Sequence, residues 1–243
     1  MQIAERVYSL AQGQDDPMLK ICAYNALACT LYFSGNFETS GQNAVHGVRI
    51  WGSGNVQALP EDVDTPNVSC LKQVALSEWH LGEIASCQLT IAEAISLAKE
   101  LNDTNALALA LNHAAELAMY ERNLAEVDRL TSDLIELSTR QNFAHWVHQA
   151  NIYRGWVRSV SGDTAKGIPW IEQGIRDYRA NGTILVVPFL LGLKAEALHL
   201  ADRTSEALGA TNEAQVLAER FEERWRLRFA KPSALHGSRS RFR

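Results

Sequence analysis

The sequence predicts an all-α protein, an array of helical hairpins repeating every 40 residues and winding into a right-handed superhelix, or solenoid. Three observations predict it. Alanine and leucine are abundant, while the 243 residues hold only 15 glycines and 6 prolines, a composition that favours helix over strand. Four polar interruptions between apolar runs, Leu81-Gly82-Glu83, Glu121-Arg122-Asn123, Ser161-Gly162-Asp163 and Ala201-Asp202-Arg203, have centres 40 residues apart each time, and a fixed spacing is the signature of a repeat architecture. Small residues also recur at fixed distances from those centres, which is what close helix crossings demand.

Residues 1–13 read as a lone helix with Ile3, Val7 and Leu10 along one face. Hairpins follow over about 17–51, 65–101, 104–140, 143–180 and 183–220. Each pairs a helix A and a helix B of about 15 residues around a three-residue turn. The first turn, Ser34-Gly35-Asn36, stands 47 residues before Gly82, and the extra seven fall in the Gly- and Pro-containing connection from Gly52 to Pro66. Seven residues before the turn centres come Ala28, Ala75, Ala115, Gly155 and Ala195; five after come Ser40, Cys87, Val127, Gly167 and Ala207; twelve after come Gly47, Ala94, Leu134, Gly174 and Ala214. Between these columns apolar residues step by three and four, as in Ile84, Cys87, Ile91, Ala94, Ala98 and Leu101. Linkers such as Leu101-Asn102-Asp103-Thr104 and Ala180-Asn181-Gly182-Thr183 carry stop and start signals. Pro188 suits the first turn of its helix. Pro169 falls about five residues into a helix B, and predicts a late start or a kink.

The columns through Ala75, Gly82, Cys87 and Ala94 resemble those of the tetratricopeptide repeat, in a long 40-residue variant without the proline that usually ends it. Residues 65–220 further resemble the C-terminal repeat region of bacterial multidomain regulators. There a class III adenylate or guanylate cyclase, or a helix-turn-helix activator, is joined to an AAA-type ATPase and then to helical repeats. The phrases that carry the likeness are Ala98-Lys99-Glu100-Leu101, Ile152-Tyr153-Arg154-Gly155-Trp156, Gly174-Ile175-Arg176-Asp177-Tyr178-Arg179-Ala180-Asn181-Gly182 and Ala195-Glu196-Ala197-Leu198. The resemblance implies a regulatory repeat tail with the cyclase or ATPase domain encoded alongside it, and no catalysis in this chain. A free-standing adaptor is the alternative, and an enzyme with an unfamiliar groove site the third.

The ends depart from the pattern. The lone first helix lacks a helix A before it, and Leu235 stands where the next small residue belongs. Both ends read as cut from a longer reading frame. Residues 221–243 form a basic tail, with seven basic residues against Glu222 and Glu223, so residues 1–220 carry more than the whole net charge of −5. An acidic body disfavours nucleic acid, whose phosphates dominate affinity. No apolar run approaches the roughly 18–20 residues that cross a bilayer, and Met1 to Val7 lacks the pattern of a secretory signal. The expectation is a cytoplasmic protein without membrane contact. Cys22, Cys29, Cys70 and Cys87 lack metal or redox spacing and read as reduced, buried small residues.

Catalytic signatures do not emerge. There is no phosphate-binding loop and no Gly-x-Ser-x-Gly elbow. Gly52-Ser53-Gly54-Asn55 reads as linker. His145 and His148 stand three apart without a neighbouring carboxylate or thiol, so no metal and no cofactor is expected. The functional surface follows from geometry instead: stacked hairpins line an inner wall with their A helices. Three before, one after and four after each small residue stand Lys72, Leu76 and Trp79; Asn112, Glu116 and Met119; Ile152, Trp156 and Ser159; Gly192, Glu196 and His199. Of these, Lys72, Trp79, Asn112, Glu116, Met119, Trp156, Glu196 and His199 combine apolar anchors with polar groups, as a site for a protein, a peptide or a small effector does. The same tryptophans could instead pack between neighbouring repeats, and the sequence leaves both open.

Overall fold

The computed structural model describes residues 2–52, 65–182 and 184–220. Among them there are eleven α-helices and no strand: α1 (Gln2–Gln12), α2 (Pro17–Phe33), α3 (Phe37–Gly52), α4 (Pro66–Leu81), α5 (Ile84–Glu100), α6 (Thr104–Tyr120), α7 (Leu124–Arg140), α8 (Ala144–Val160), α9 (Thr164–Ala180), α10 (Val187–Leu200) and α11 (Thr204–Arg220). Residues 53–64 of the predicted connection and the basic tail 221–243 lie outside the described residues. No helix among the described residues is long and apolar enough to cross a membrane.

Every predicted turn centre is left-handed, and so are the linkers at Asn102, Asn142 and Gly182. Positive φ recurs at Gly82, Asn102, Arg122, Asn142, Gly162, Gly182 and Asp202, one residue in every 20, with Gly35 before them. The backbone therefore repeats at half the period of the sequence columns. Helices α5, α6, α7, α8, α9 and α11 are each 17 residues long, and a left-handed residue turns the chain after each of α5 to α9. The amide of that residue bonds the carbonyl three back and the next amide bonds the carbonyl five back, as in Gly162 to Ser159 and Asp163 to Arg158, or Asp202 to His199 and Arg203 to Leu198. These bonds satisfy carbonyls that a helix end leaves orphaned. The following residue then caps the next helix: the side chains of Asp103, Asn123 and Asp163 accept from the amides of Ala106, Glu126 and Lys166.

The chain divides into two compact units, Met1–Arg122 and Asn123–Arg243. In the first, α4 packs against α2, α3, α5 and α6, and every residue from Pro66 to Ser77 is buried. A helix with neighbours all round needs no polar face, yet α4 carries Ser69, Gln73 and Ser77 four residues apart. Its start is held from afar, since Asp103 accepts from both the amide and the hydroxyl of Thr65, at 2.9 and 2.7 Å. The predicted surface connection thus ends earlier than expected, with Thr65 and Pro66 already buried. In the second unit α10 packs against α8, α9 and α11, with Pro188 in its first turn. Helix α9 begins at Thr164, so Pro169 lies inside it and the predicted late start does not occur.

All fifteen column residues are buried. Where they are glycine, nothing larger fits: a β-carbon on Gly155 would lie 2.8 Å from the Gly167 carbonyl oxygen and 2.9 Å from Ile171, and one on Gly47 would lie 2.5 Å from the Cys70 sulfur. Gly167 faces Gly155 and Ser159, and Gly174 faces Ile152. The two helices of the α8–α9 hairpin touch through backbone at this crossing.

Candidate functional site

In the first unit, the predicted residues come from α4 and α6, two A helices in direct contact. Lys72 is 7 % exposed, Asn112 1 % and Glu116 2 %; Met119 is buried and Trp79 half-buried. The row is therefore an enclosed polar seam and not an open wall. Lys72 Nζ donates to Gln73 Oε1 at 3.1 Å and lies 3.9 Å from Cys29 Sγ. Gln73 Nε2 donates to Ser40 Oγ at 3.2 Å, and Ser77 Oγ joins the same hydroxyl at 3.3 Å. The Glu116 carboxylate accepts from the Tyr120 hydroxyl through a very short contact. Trp79 packs on the Tyr120 ring at 4.6 Å. Beside them His80 stacks on Phe37 at 4.0 Å and meets the Tyr32 hydroxyl at 3.1 Å.

Asn112 differs from these. Among the described residues neither its carboxamide oxygen nor its nitrogen has a hydrogen-bond partner. Burying an amide without partners costs about 1–3 kcal/mol, and native interiors rarely accept it.

In the second unit, Trp156 is 1 % exposed and its indole nitrogen donates to Glu196 Oε2 at 2.8 Å. The indole lies between successive A helices, the packing role the sequence left open for it. Below it Gln149 Nε2 donates to the Tyr153 hydroxyl at 2.7 Å. Glu196 and His199 are half-buried. Cys29, Gln73, Gln149 and Tyr153 are the participants that the sequence reading missed. The polar four-residue spacing Ser69, Gln73, Ser77 in an otherwise apolar helix was the available signal.

Two hollows lined by described residues lie away from the predicted row. One of about 270 Å³ runs between α3 and α4 past Glu38, His46, Arg49 and Glu78. Another of about 160 Å³ lies between α8 and α9, walled by His148, Trp170 and Asp177. Among the described residues no group of three His, Cys, Asp or Glu could hold a metal ion. The thiols divide: Cys22 and Cys29 are half-buried, contrary to expectation, while Cys70 and Cys87 are buried. Burial, reinforced by Cys29 beside Cys70 against the opposing Lys72, and by Glu78 and Glu121 beside Cys87, pushes both thiols up to about 12, so neither supplies a thiolate near neutrality. Desolvation, with the neighbouring His148, lowers the His145 pKa.

The chain matches no protein-family model. It is 22 % identical over 144 residues to an uncharacterised protein of Rhizobium meliloti (strain 1021); the match spans 59 % of this chain but 14 % of that protein. Among solved structures it is similar to aspartyl phosphate phosphatase F from Bacillus subtilis, with 14 % identity and a TM-score of 0.68 over 94 % of this chain and 61 % of that one. It is similar to Bacillus thuringiensis PlcR in complex with the peptide PapR7 and DNA, with 11 % identity and a TM-score of 0.59 over 95 % and 84 %. The TPR-like repeats of a kinesin light chain from Podosopora anserina match at 10 % identity and 0.53 over 85 % and 99 %. The fold is that of tetratricopeptide-like helical repeats. At such low identity the likeness extends to the fold alone.

Proposed function

We propose that this chain is a non-catalytic interaction and sensor scaffold whose A helices bind a peptide or a small effector. One observation carries the reading: Asn112 is buried on the A-helix row with both ends of its carboxamide unanswered. A carboxamide presents one acceptor and a donor pair, the complement of the N–H and C=O of an extended peptide, which would reach this buried position by parting the A-helix packing. PlcR, of like fold, is described with a peptide bound, which supports the same use here. Aspartyl phosphate phosphatase F has the fold as well, so the fold by itself does not decide against catalysis; the absence of a recognisable nucleophile or acid pair in the sequence favours binding.

In its wider form the reading makes the chain the regulatory repeat tail of a signalling ATPase, cyclase or helix-turn-helix regulator. The match to a small fraction of a much longer relative supports that form. Resequencing the locus separates it from a free-standing adaptor: a cyclase or ATPase domain in frame, or one frameshift away, is the expected result.

The binding claim is tested by panning a random heptapeptide library on the purified chain. Enriched peptides should bind the parent and lose about tenfold or more on Asn112→Leu, with helicity retained. Equal binding by parent and variant removes Asn112 from the site, and failure to enrich any peptide overturns the peptide reading.

A further inference from the structure

We propose that Cys29 and Lys72 form a modification site at which peroxide couples the thiol to the amine, fastening α2 to α4 through a sulfur–nitrogen bond. The inference is independent of the scaffold reading. Cys29 follows Ala28, the small residue of the first A helix, and Lys72 stands three before Ala75 of the next. The two helices pack on each other, and Lys72 Nζ lies 3.9 Å from Cys29 Sγ.

The surroundings single out this pair. Lys72 is 7 % exposed, and its other polar contact is Gln73 Oε1 at 3.1 Å. No carboxylate among the described residues pairs with it, and a charge this far from water is costly to hold unpaired. Cys29 is half-buried, with Asn25 Oδ1 at 3.7 Å and Gln73 Oε1 at 3.4 Å as its further polar neighbours. A molecule as small as hydrogen peroxide reaches a thiol of that exposure. The other thiols lack the combination. Cys22, half-buried on the same helix, feels the Asp16 carboxylate. Cys70 feels Lys72 as well but is 0 % exposed, and the buried Cys87 feels Glu78 and Glu121.

Peroxide is the oxidant, and the atoms balance. The Cys29 sulfur attacks one peroxide oxygen; an S–O bond forms, the O–O bond breaks, and the departing hydroxide takes the thiol proton to become water. Sulfur loses two electrons and peroxide gains them. A nitrogen nucleophile condenses with a sulfenic acid of this kind. Lys72 Nζ releases one proton to solvent and attacks the sulfur; the S–N bond forms, the S–O bond breaks, and hydroxyl leaves with a second nitrogen proton as water. The flexible four-carbon stem of lysine lets Nζ close the gap. The product is neutral, so the coupling also removes the buried cation. It joins residues 43 apart in sequence and ties consecutive A helices together.

The test treats the purified chain with a few equivalents of hydrogen peroxide, blocks remaining thiols with iodoacetamide, digests with chymotrypsin and reads the peptides by tandem mass spectrometry. The expected product joins the Cys29 peptide to the Lys72 peptide, is two hydrogens lighter than their sum, and disappears with dithiothreitol. The oxidised chain should melt higher than the reduced one by about 5 °C or more, because a long loop has been closed. Lys72→Arg keeps the cation but replaces the amine by a guanidinium that stays protonated, so Cys29 should stop at the sulfenic acid, which dimedone traps, without the rise in melting temperature.

A disulfide from Cys29 to Cys70 or Cys22 in place of the sulfur–nitrogen link overturns the proposal. So does a parent that accumulates dimedone-reactive Cys29 as Lys72→Arg does, or one whose Cys22 oxidises as fast as Cys29. Should Lys72→Arg fail to fold, the cross-linked peptide of the parent alone decides: its presence sustains the site and its absence removes it.

Discussion

Trp156 and Glu196 are 40 residues apart and joined by a 2.8 Å hydrogen bond from the indole nitrogen to Oε2. Each follows the small residue of its own A helix by one position, Gly155 and Ala195, so the bond links equivalent rungs of consecutive repeats. The indole end is buried and the carboxylate half-buried. Glu196→Leu leaves a buried N–H without its acceptor and should destabilise the chain by about 1–3 kcal/mol in urea unfolding, whereas Glu196→Gln keeps an acceptor and should lose less. Equal midpoints for the two variants would remove the hydrogen bond from the interface energetics.

The crossing at Gly155 gives a paired prediction. Gly155→Ala places a methyl against the Gly167 carbonyl and Ile171, and overpacking of this kind costs about 1–3 kcal/mol. Gly209, in α11, has open space around its missing β-carbon, so Gly209→Ala should stabilise by about 0.5–1 kcal/mol. Thermal melts of the two variants moving in the same direction would mean that the small-residue register is misplaced.

Left-handed positions predict a second pair. Asp202 holds φ at 57° with a side chain, a conformation that costs a residue with a β-carbon about 1 kcal/mol, so Asp202→Gly should raise the melting temperature. Gly162 holds φ at 100°, and Gly162→Ala should lower it by a similar amount. Differential scanning calorimetry on both variants reads the two signs directly.

The buried thiols make a prediction in pH. Cys70 and Cys87 are raised from 9.0 to about 12 by burial. A raised acid contributes stability that is complete below its unfolded pKa and is lost as pH rises toward the folded one. The chain should therefore lose stability progressively between pH 9 and about 12. At pH 8 iodoacetamide should label Cys29 well before Cys70 or Cys87, followed by mass spectrometry of the digested chain. Simultaneous labelling of all three would show that α4 and α5 open far more readily than their burial implies.

Much of the fold was legible because the signals are carried by single residues. Gly35, Gly82 and Gly162 mark turns through the one backbone region that only glycine enters freely, and Ala28, Ala75 and Gly155 mark crossings through their lack of bulk. The kinship of Asn102 and Asn142 with those turns went unread, because asparagine also reads as an ordinary stop signal in a linker. The candidate site was legible only as positions. Lys72, Asn112 and Glu116 were placed on one row by the register, but a row does not say whether its members face solvent or each other.

The period, the two helices per repeat, the columns of small residues and the side of each A helix that would carry polar groups follow from local rules of turn and crossing geometry, which a linear sequence records. That Asp103 reaches back to Thr65, that Trp156 finds Glu196 while Asn112 finds nothing, and that the A-helix row of the first unit closes into a seam were decided by tertiary packing. Those outcomes depend on rotamers and on how closely α4 approaches α2 and α6, distances set by all the contacting side chains at once and written at no single position of the chain.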